Sequence, residues 1–285
     1  MGMAKIREIR MGDGNKIPEL GLGTWQLTGN RCKEAVKGAL ELGYKHIDTA
    51  EAYGNEKEIG DAIAGFERKK LFITSKVWPY RNRQEKIVKA CEDSISRLGS
   101  DYIDLYLLHW PSSVMNLEDV FKAFKKLKDD GLVKSVGVSN FMASNMRNAL
   151  EIAMKNGVKI ANNQVEFHPF LNQRMLLESC NKNNVAVTAY SPLARGKVFR
   201  EVIIKGVAAK YGKTAGQVSI RWLLQKGMAV IPKASSREHM AENIDVYDFK
   251  ISNNDMKRLD YVGEIDVEIN GILDYAFRAV KRRLL

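Results

Sequence analysis

Short apolar runs alternate with longer amphipathic stretches along most of this chain, a pattern that predicts parallel βα architecture. Eight strand candidates fall at 20–22, 46–48, 71–76, 102–109, 133–139, 161–166, 185–190 and 228–231. Between them a helical period recurs at 32–42, 56–64, 84–98, 117–130, 143–156 and 173–183. Thr214-Ala215-Gly216-Gln217 reads as a capping box opening a helix over 216–225, in which Thr and Gln satisfy free helix amides. Two further helices are expected at 202–211 and 254–261, and residues 6–17 read as a hairpin around Asp13-Gly14-Asn15. The chain is therefore expected to be an α/β protein: a (β/α)8 TIM barrel with an N-terminal β-hairpin and two extra helices. No Pro/Ser-rich or low-complexity segment divides it, so residues 1–285 are expected to form a single barrel domain.

The rival architecture is a doubly wound sheet with a dinucleotide-binding glycine loop. Gly21-Leu22-Gly23-Thr24-Trp25-Gln26 supplies only the first two glycines, with Gln26 where the third belongs. It also precedes a loop instead of directly opening a helix. As that signal it fails.

The 285 residues are 45% hydrophobic and 28% charged, which suits a soluble globular protein with a large core. The three cysteines, Cys32, Cys91 and Cys180, match no metal or redox spacing, and their odd, sparse count argues for a reducing compartment. No metal site is expected. Residues 1–7 lack an apolar leader core and no run is long enough to span a membrane, so a cytoplasmic protein with no membrane partner is expected. The formal net charge of +11 could serve nucleic acid or a phosphorylated ligand. Yet Lys122, Lys125, Lys126 and Lys128 interleave with Phe121, Phe124 and Leu127 as the wet face of an amphipathic helix, and 278–285 is a basic tail. No zinc spacing, aromatic RNA motif or basic zipper accompanies the charge, so no nucleic acid is expected as partner.

Barrel enzymes build their sites at the C-terminal ends of strands. Here those positions carry Thr24 and Trp25, Asp48, Lys76, His109, Ser139 and Asn140, Gln164, Tyr190 and Ser191, and Lys233. Singly, each has a structural use: Asp48 could cap a turn, Tyr53 could pack, and His109 could be a satisfied core histidine. Together, an acid, a phenol, an ammonium and an imidazole at neighbouring strand ends suit proton transfer to a carbonyl oxygen.

The segment His46-Ile47-Asp48-Thr49-Ala50-Glu51-Ala52-Tyr53-Gly54-Asn55-Glu56 resembles the signature of aldo-keto reductases. So do Gly21-Leu22-Gly23-Thr24-Trp25, Leu107-Leu108-His109-Trp110-Pro111, Gly137-Val138-Ser139-Asn140-Phe141, Asn163-Gln164-Val165-Glu166-Phe167-His168-Pro169 and Ile231-Pro232-Lys233, in family order across almost the whole chain. The resemblance, to the prokaryotic type of aldehyde and keto reductase, implies reduction of aldehydes and ketones to alcohols by hydride transfer from a nicotinamide cofactor. Tyr53 is then expected as general acid, Lys76 as its electrostatic partner, Asp48 as the anchor of Lys76, and His109 as the group orienting the carbonyl oxygen. A free phenol titrates near about 10, and a neighbouring ammonium is expected to lower that value.

By the same resemblance, Ser139, Asn140 and Gln164 match the groups that hold the nicotinamide carboxamide, and Tyr190 the ring that stacks on it. Ser191 and Leu193 fall where the pyrophosphate is contacted, and Thr24 and Trp25 belong to the same lining. Lys233, Glu242 and Asn243 match the adenine side, and Ser235-Ser236-Arg237-Glu238 reads as a helix start whose amides could bind a phosphate, just before His239. Members that prefer NADPH usually follow Ile-Pro-Lys with Ser and place Arg six residues after the Lys, positions held here by Ala234 and His239. Arg237 is left either to reach the 2′-phosphate from a different place or to sit in solvent. NADPH is the expected cofactor, with NADH open as a second. Trp25, Trp78 and Trp110, with Tyr53, are expected to line an aromatic pocket for a small carbonyl substrate. A monomer or weak homo-oligomer is expected. The alternative reading is a cofactor-binding regulatory barrel with slow turnover, as in potassium-channel β subunits.

Overall fold

The computed structural model describes residues 6–113 and 115–263. The chain enters through an antiparallel hairpin, β1 (Glu8–Arg10) and β2 (Lys16–Pro18), paired through Ile9 and Ile17. The turn is closed by Met11 N–H on Asn15 O at 2.7 Å and Gly14 N–H on Met11 O at 2.9 Å. Ile17 and Met11 are buried with Phe72, Leu105, Leu107, Ala161 and Ala229, so the hairpin caps the start of the strands and fills one end of the barrel.

Eight parallel strands follow: β3 (Gly21–Gly23), β4 (His46–Asp48), β5 (Phe72–Val77), β6 (Ile103–Leu108), β7 (Val133–Ser139), β8 (Asn162–Glu166), β9 (Ala186–Tyr190) and β10 (Ala229–Ile231). They pair strictly in chain order, β3 to β10. The seam between the first and last is joined by a parallel bridge of Leu20 with Val230, by Val230 N–H on Glu19 O at 2.8 Å and by Gly23 N–H on Pro232 O at 3.1 Å. A Cβ at position 23 would lie 2.7 Å from Ile231 O, which is why glycine stands at this closure.

The helices are α1 (Gly29–Glu41), α2 (Glu56–Ile63), α3 (Gln84–Leu98), α4 (Leu117–Asp129), α5 (Ala143–Lys155), α6 (Arg174–Lys182), α7 (Val202–Tyr211), α8 (Ala215–Gln225), α9 (Arg237–Ile244) and α10 (Asn253–Asp260). The first six, with α8 and α9, form the outer ring; α7 and α10 are the two extra helices expected. In α4, Val120, Phe121, Phe124 and Leu127 are buried while Lys125 and Lys126 pair outward with Asp129 and Asp130 at 2.5 and 2.8 Å, so this basic stretch is a solvated face. The Thr214–Gln217 capping box forms at the head of α8.

One boundary differs in a way that matters. The apolar period begins at Cys32, but α1 begins at Gly29: Thr28, in extended backbone, precedes a polar first turn of Gly29, Asn30 and Arg31, and its carbonyl accepts from Cys32 N–H at 3.2 Å. The period reports only the buried face, so it misses a turn that lies in solvent. The basic tail at 278–285 lies outside the described residues. Among the described residues no helix is long and apolar enough to cross a membrane, and no cluster of His, Cys, Asp and Glu is placed to hold a metal ion.

Candidate active site

Strand pairing delivers the first charges. Asp48 ends β4, and Lys76 lies in the adjoining β5; both side chains are buried. The Lys76 ammonium donates to Asp48 Oδ1 at 2.5 Å and to Thr49 O at 2.7 Å, and lies 3.4 Å from the Tyr53 hydroxyl. Asp48 Oδ2 accepts from Gln164 Nε2 at 2.6 Å, across the barrel mouth from β8. Both carboxylate oxygens are thus satisfied by donors from different strands, the condition under which a buried charge is tolerated. Burial pushes the Asp48 carboxyl up and the Lys76 ammonium down, and their mutual attraction opposes both shifts.

Tyr53 sits on a one-turn 3-10 helix (Glu51–Tyr53) after β4, half-buried, with its ring 4.9 Å from the Lys76 nitrogen. The expected lowering of its phenol is not what the resting site produces. Burial pushes the Tyr53 hydroxyl well above its ordinary value of 10.0, and the Asp48 charge adds to the rise. Lys76 has its charge committed to Asp48, so the phenol feels the pair more than the lone ammonium.

His109 follows β6, its backbone N–H bonded to Val77 O at 3.0 Å. Its ring meets Tyr53 edge-on at 5.6 Å, Trp78 edge-on at 5.0 Å, and lies over Trp110 at 6.5 Å. Tyr53, Trp78, His109 and Trp110 therefore form one aromatic wall beside the Lys76 ammonium. Trp25, at the end of β3, is largely exposed, and the Arg195 guanidinium lies 5.5 Å from its ring centroid.

A second set of bonds ties the remaining strand ends together. Ser139 Oγ donates to Gln164 O at 2.8 Å. Asn140, at a positive φ of 64°, donates from Nδ2 to His109 O at 3.0 Å and to Ser139 Oγ at 3.1 Å. Its Oδ1 accepts from the Tyr190 hydroxyl at 2.8 Å, so Asn140 links the ends of three strands. Ser191, Ala194 and Arg195 also adopt positive φ, of 51°, 47° and 53°, which bends the chain sharply away after β9 through Leu193.

The adenine side is less as expected. Arg237 is paired with Glu41 of α1 at 2.7 Å. Glu242 accepts from Thr214 Oγ1 at 2.5 Å, and Asn243 is buried on α9. His239 stands exposed in the first turn of α9, its N–H held by the Ser236 cap at 3.3 Å. Ser235 Oγ accepts from Arg31 Nη2 at 2.8 Å, and Lys233 Nζ reaches Gln26 Oε1 at 3.5 Å.

Sequence reasoning assigned no role to a buried polar bracket beneath the site. Asn55 donates to Thr24 O at 2.9 Å and Leu27 O at 2.9 Å, and accepts from Thr49 Oγ1 at 2.6 Å. Glu56 accepts from Ser75 Oγ at 2.5 Å and from Arg97 at 2.6 Å. These bonds lock the β3 and β4 loops and the back of β5 in register. The only signal was that Asn55-Glu56 completes the resemblance segment. On a wheel, Glu56 reads as an exposed first-turn acid.

An eight-stranded parallel barrel whose strand ends gather an acid, an ammonium, a phenol and an imidazole defines an α/β-barrel enzyme. The sequence model of the Aldo/keto reductase family matches residues 19–264, and the chain belongs to that family of oxidoreductases. An aldo-keto reductase of Mycobacterium sp. (strain KMS) is 43% identical over 251 residues, covering 87% of this chain and 90% of the relative. Methylglyoxal reductase DkgA of Escherichia coli (strain K12) is 39% identical over 259 residues, covering 89% and 92%. An aldo/keto reductase structure from Brucella melitensis superposes with a TM-score of 0.84 at 39% identity, over 90% of this chain and all of that one.

Proposed function

We propose that this protein is an NADPH-preferring reductase of small aldehydes and ketones, with Tyr53 as proton donor. The observation that carries the reading is the contact of the Tyr53 hydroxyl with a Lys76 ammonium that Asp48 anchors, at 3.4 and 2.5 Å. Reduction of a carbonyl needs a hydride at carbon and a proton at oxygen. The nicotinamide ring, when bound, supplies the hydride. Tyr53 holds the proton: a phenol raised above its ordinary value stays protonated, and it can give that proton to the strongly basic alkoxide, which becomes the alcohol. Lys76 stabilises the phenolate left behind, and the Asp48–Gln164 bond keeps Lys76 from rotating away. His109, walled by Tyr53, Trp78 and Trp110, orients the carbonyl oxygen.

The donor set suits the cofactor. Tyr190 presents an aromatic ring at the end of β9 beside Asn140, and Ser139 and Gln164 line the adjoining strand ends for the carboxamide. The wall of Trp78 and Trp110 suits a small or flat carbonyl, and one relative is named for methylglyoxal, a small dicarbonyl. All three cysteines are free, buried thiols, in keeping with a reducing cytoplasm.

The test follows nicotinamide absorbance with NADPH and then NADH against a panel of small aldehydes. Aldehyde-dependent oxidation is expected in the parent and a fall of about 10²–10⁴-fold in Tyr53→Phe, with NADPH still bound. Tight cofactor binding without turnover on any carbonyl would instead favour the slow regulatory barrel.

A further inference from the structure

The extra first turn of α1 carries a cation to the loop after β10. Arg31 reaches Ser235 Oγ at 2.8 Å, two residues beyond Lys233. Among the described residues neither Arg31 nor Lys233 has a carboxylate within ion-pair distance. Burial and the Arg31 charge together hold the Lys233 ammonium below its ordinary value, the mark of two cations facing a common space. The neighbouring cation Arg237 is arranged differently, with a carboxylate partner, Glu41, at 2.7 Å. Two neighbouring cations without an acid, one of them bonded to the Ser235 hydroxyl, repel each other, and a dianion between them would relieve that repulsion.

We propose that Arg31 joins Lys233 and Ser235, already expected on the adenine side, in holding the 2′-phosphate of the adenosine half of the cofactor, and that Arg31 is the residue by which this enzyme prefers NADPH over NADH. The inference rests on the nicotinamide-cofactor reading above. It replaces the guanidinium missing at His239 with one carried by α1, on a different βα unit. Arg237 is instead engaged with Glu41 on the surface. Arg31 donates through a planar fork and Lys233 acts as a point charge, so the two can share one phosphate without competing for the same oxygens.

The test is direct binding, read by tryptophan fluorescence and by calorimetry, of NADP+ and NAD+ to the parent, Arg31→Ala, Arg31→Lys and Arg237→Ala. Matching thermal melts establish that the variants fold; Arg31 is an exposed side chain outside the core. Arg31→Ala is expected to weaken NADP+ on the order of tenfold or more while NAD+ affinity stays put. Arg31→Lys is expected to fall between, and Arg237→Ala to match the parent. The NADP+ affinity is also expected to drop with salt more steeply in the parent than in Arg31→Ala. Equal loss of both nucleotides, no loss of either, or a selective NADP+ loss in Arg237→Ala would overturn the assignment. Failure of the parent to bind either nucleotide would overturn the cofactor reading itself, and the assignment with it.

Discussion

Gln164 donates its side-chain amide to Asp48 Oδ2 at 2.6 Å, on the oxygen that Lys76 does not use. β8 and β4 lie on different sides of the barrel, so this bond crosses the mouth and joins a residue of the expected carboxamide site to the anchor of Lys76, the ammonium beside the expected proton donor. The amide expected to serve the cofactor is held by the carboxylate that anchors Lys76.

Removing that donor tests the link. Gln164→Leu is expected to cost about 1.5–3 kcal/mol, because it leaves a buried carboxylate oxygen without a partner. Asp48→Asn should cost more, about 3–5 kcal/mol, since it leaves the Lys76 ammonium buried without a counter-charge. Urea unfolding of the three proteins gives both numbers. A neutral Gln164→Leu would show that water replaces the amide.

The raised phenol predicts a pH profile. A group whose folded value is raised keeps its proton to higher pH, so Tyr53 should remain the acid across the neutral and mildly alkaline range. Reductive kcat is therefore expected to show no alkaline fall from this group below its ordinary value of 10.0. An alkaline limb centred near pH 8 in the parent would mean that Lys76 lowers the phenol once the site is filled.

His46 offers a stability test away from the chemistry. It is fully buried, with Nε2 3.0 Å from Thr74 Oγ1, and burial followed by the Lys76 charge lowers it from 6.5 to about 3. The unfolded chain binds the proton more readily, so stability is complete above pH 6.5 and is lost as pH falls toward 3. The slope is at most about 1.4 kcal/mol per pH unit. Denaturant unfolding between pH 7 and 4 should show that slope in the parent and a shallower one in His46→Gln. Equal slopes would remove His46 as the cause.

At the head of α8, Thr214 caps Gln217 N–H at 3.1 Å while Gln217 Oε1 takes the Thr214 N–H at 3.0 Å. Thr214→Ala is expected to lower stability by about 1 kcal/mol, within the usual range of about 0.5–2. A thermal melt that does not move would show that the Glu242 and Asp245 contacts of this turn carry the cap instead.

The barrel itself was legible from the chain. Strands at 46–48 and 133–139 and helices at 84–98 and 202–211 fall where the period placed them, since each has one face that must be buried. The start of α1 was not, because its first turn lies in solvent and leaves no apolar mark. That turn carries Arg31, which explains why a residue central to the phosphate proposal went unseen.

By itself, the sequence determined the alternation of strand and helix, the strand ends where chemistry must lie, and the residue types Asp48, Tyr53, Lys76 and His109. Those follow from local periodicity and from side-chain chemistry, both carried residue by residue. Only the tertiary structure decided which groups share charge. It turned Gln164 onto Asp48, bound Arg237 to Glu41, brought Arg31 onto Ser235 and raised the Tyr53 phenol. Distances between residues far apart in the chain, and the burial that strengthens or removes a charge, are set by packing alone.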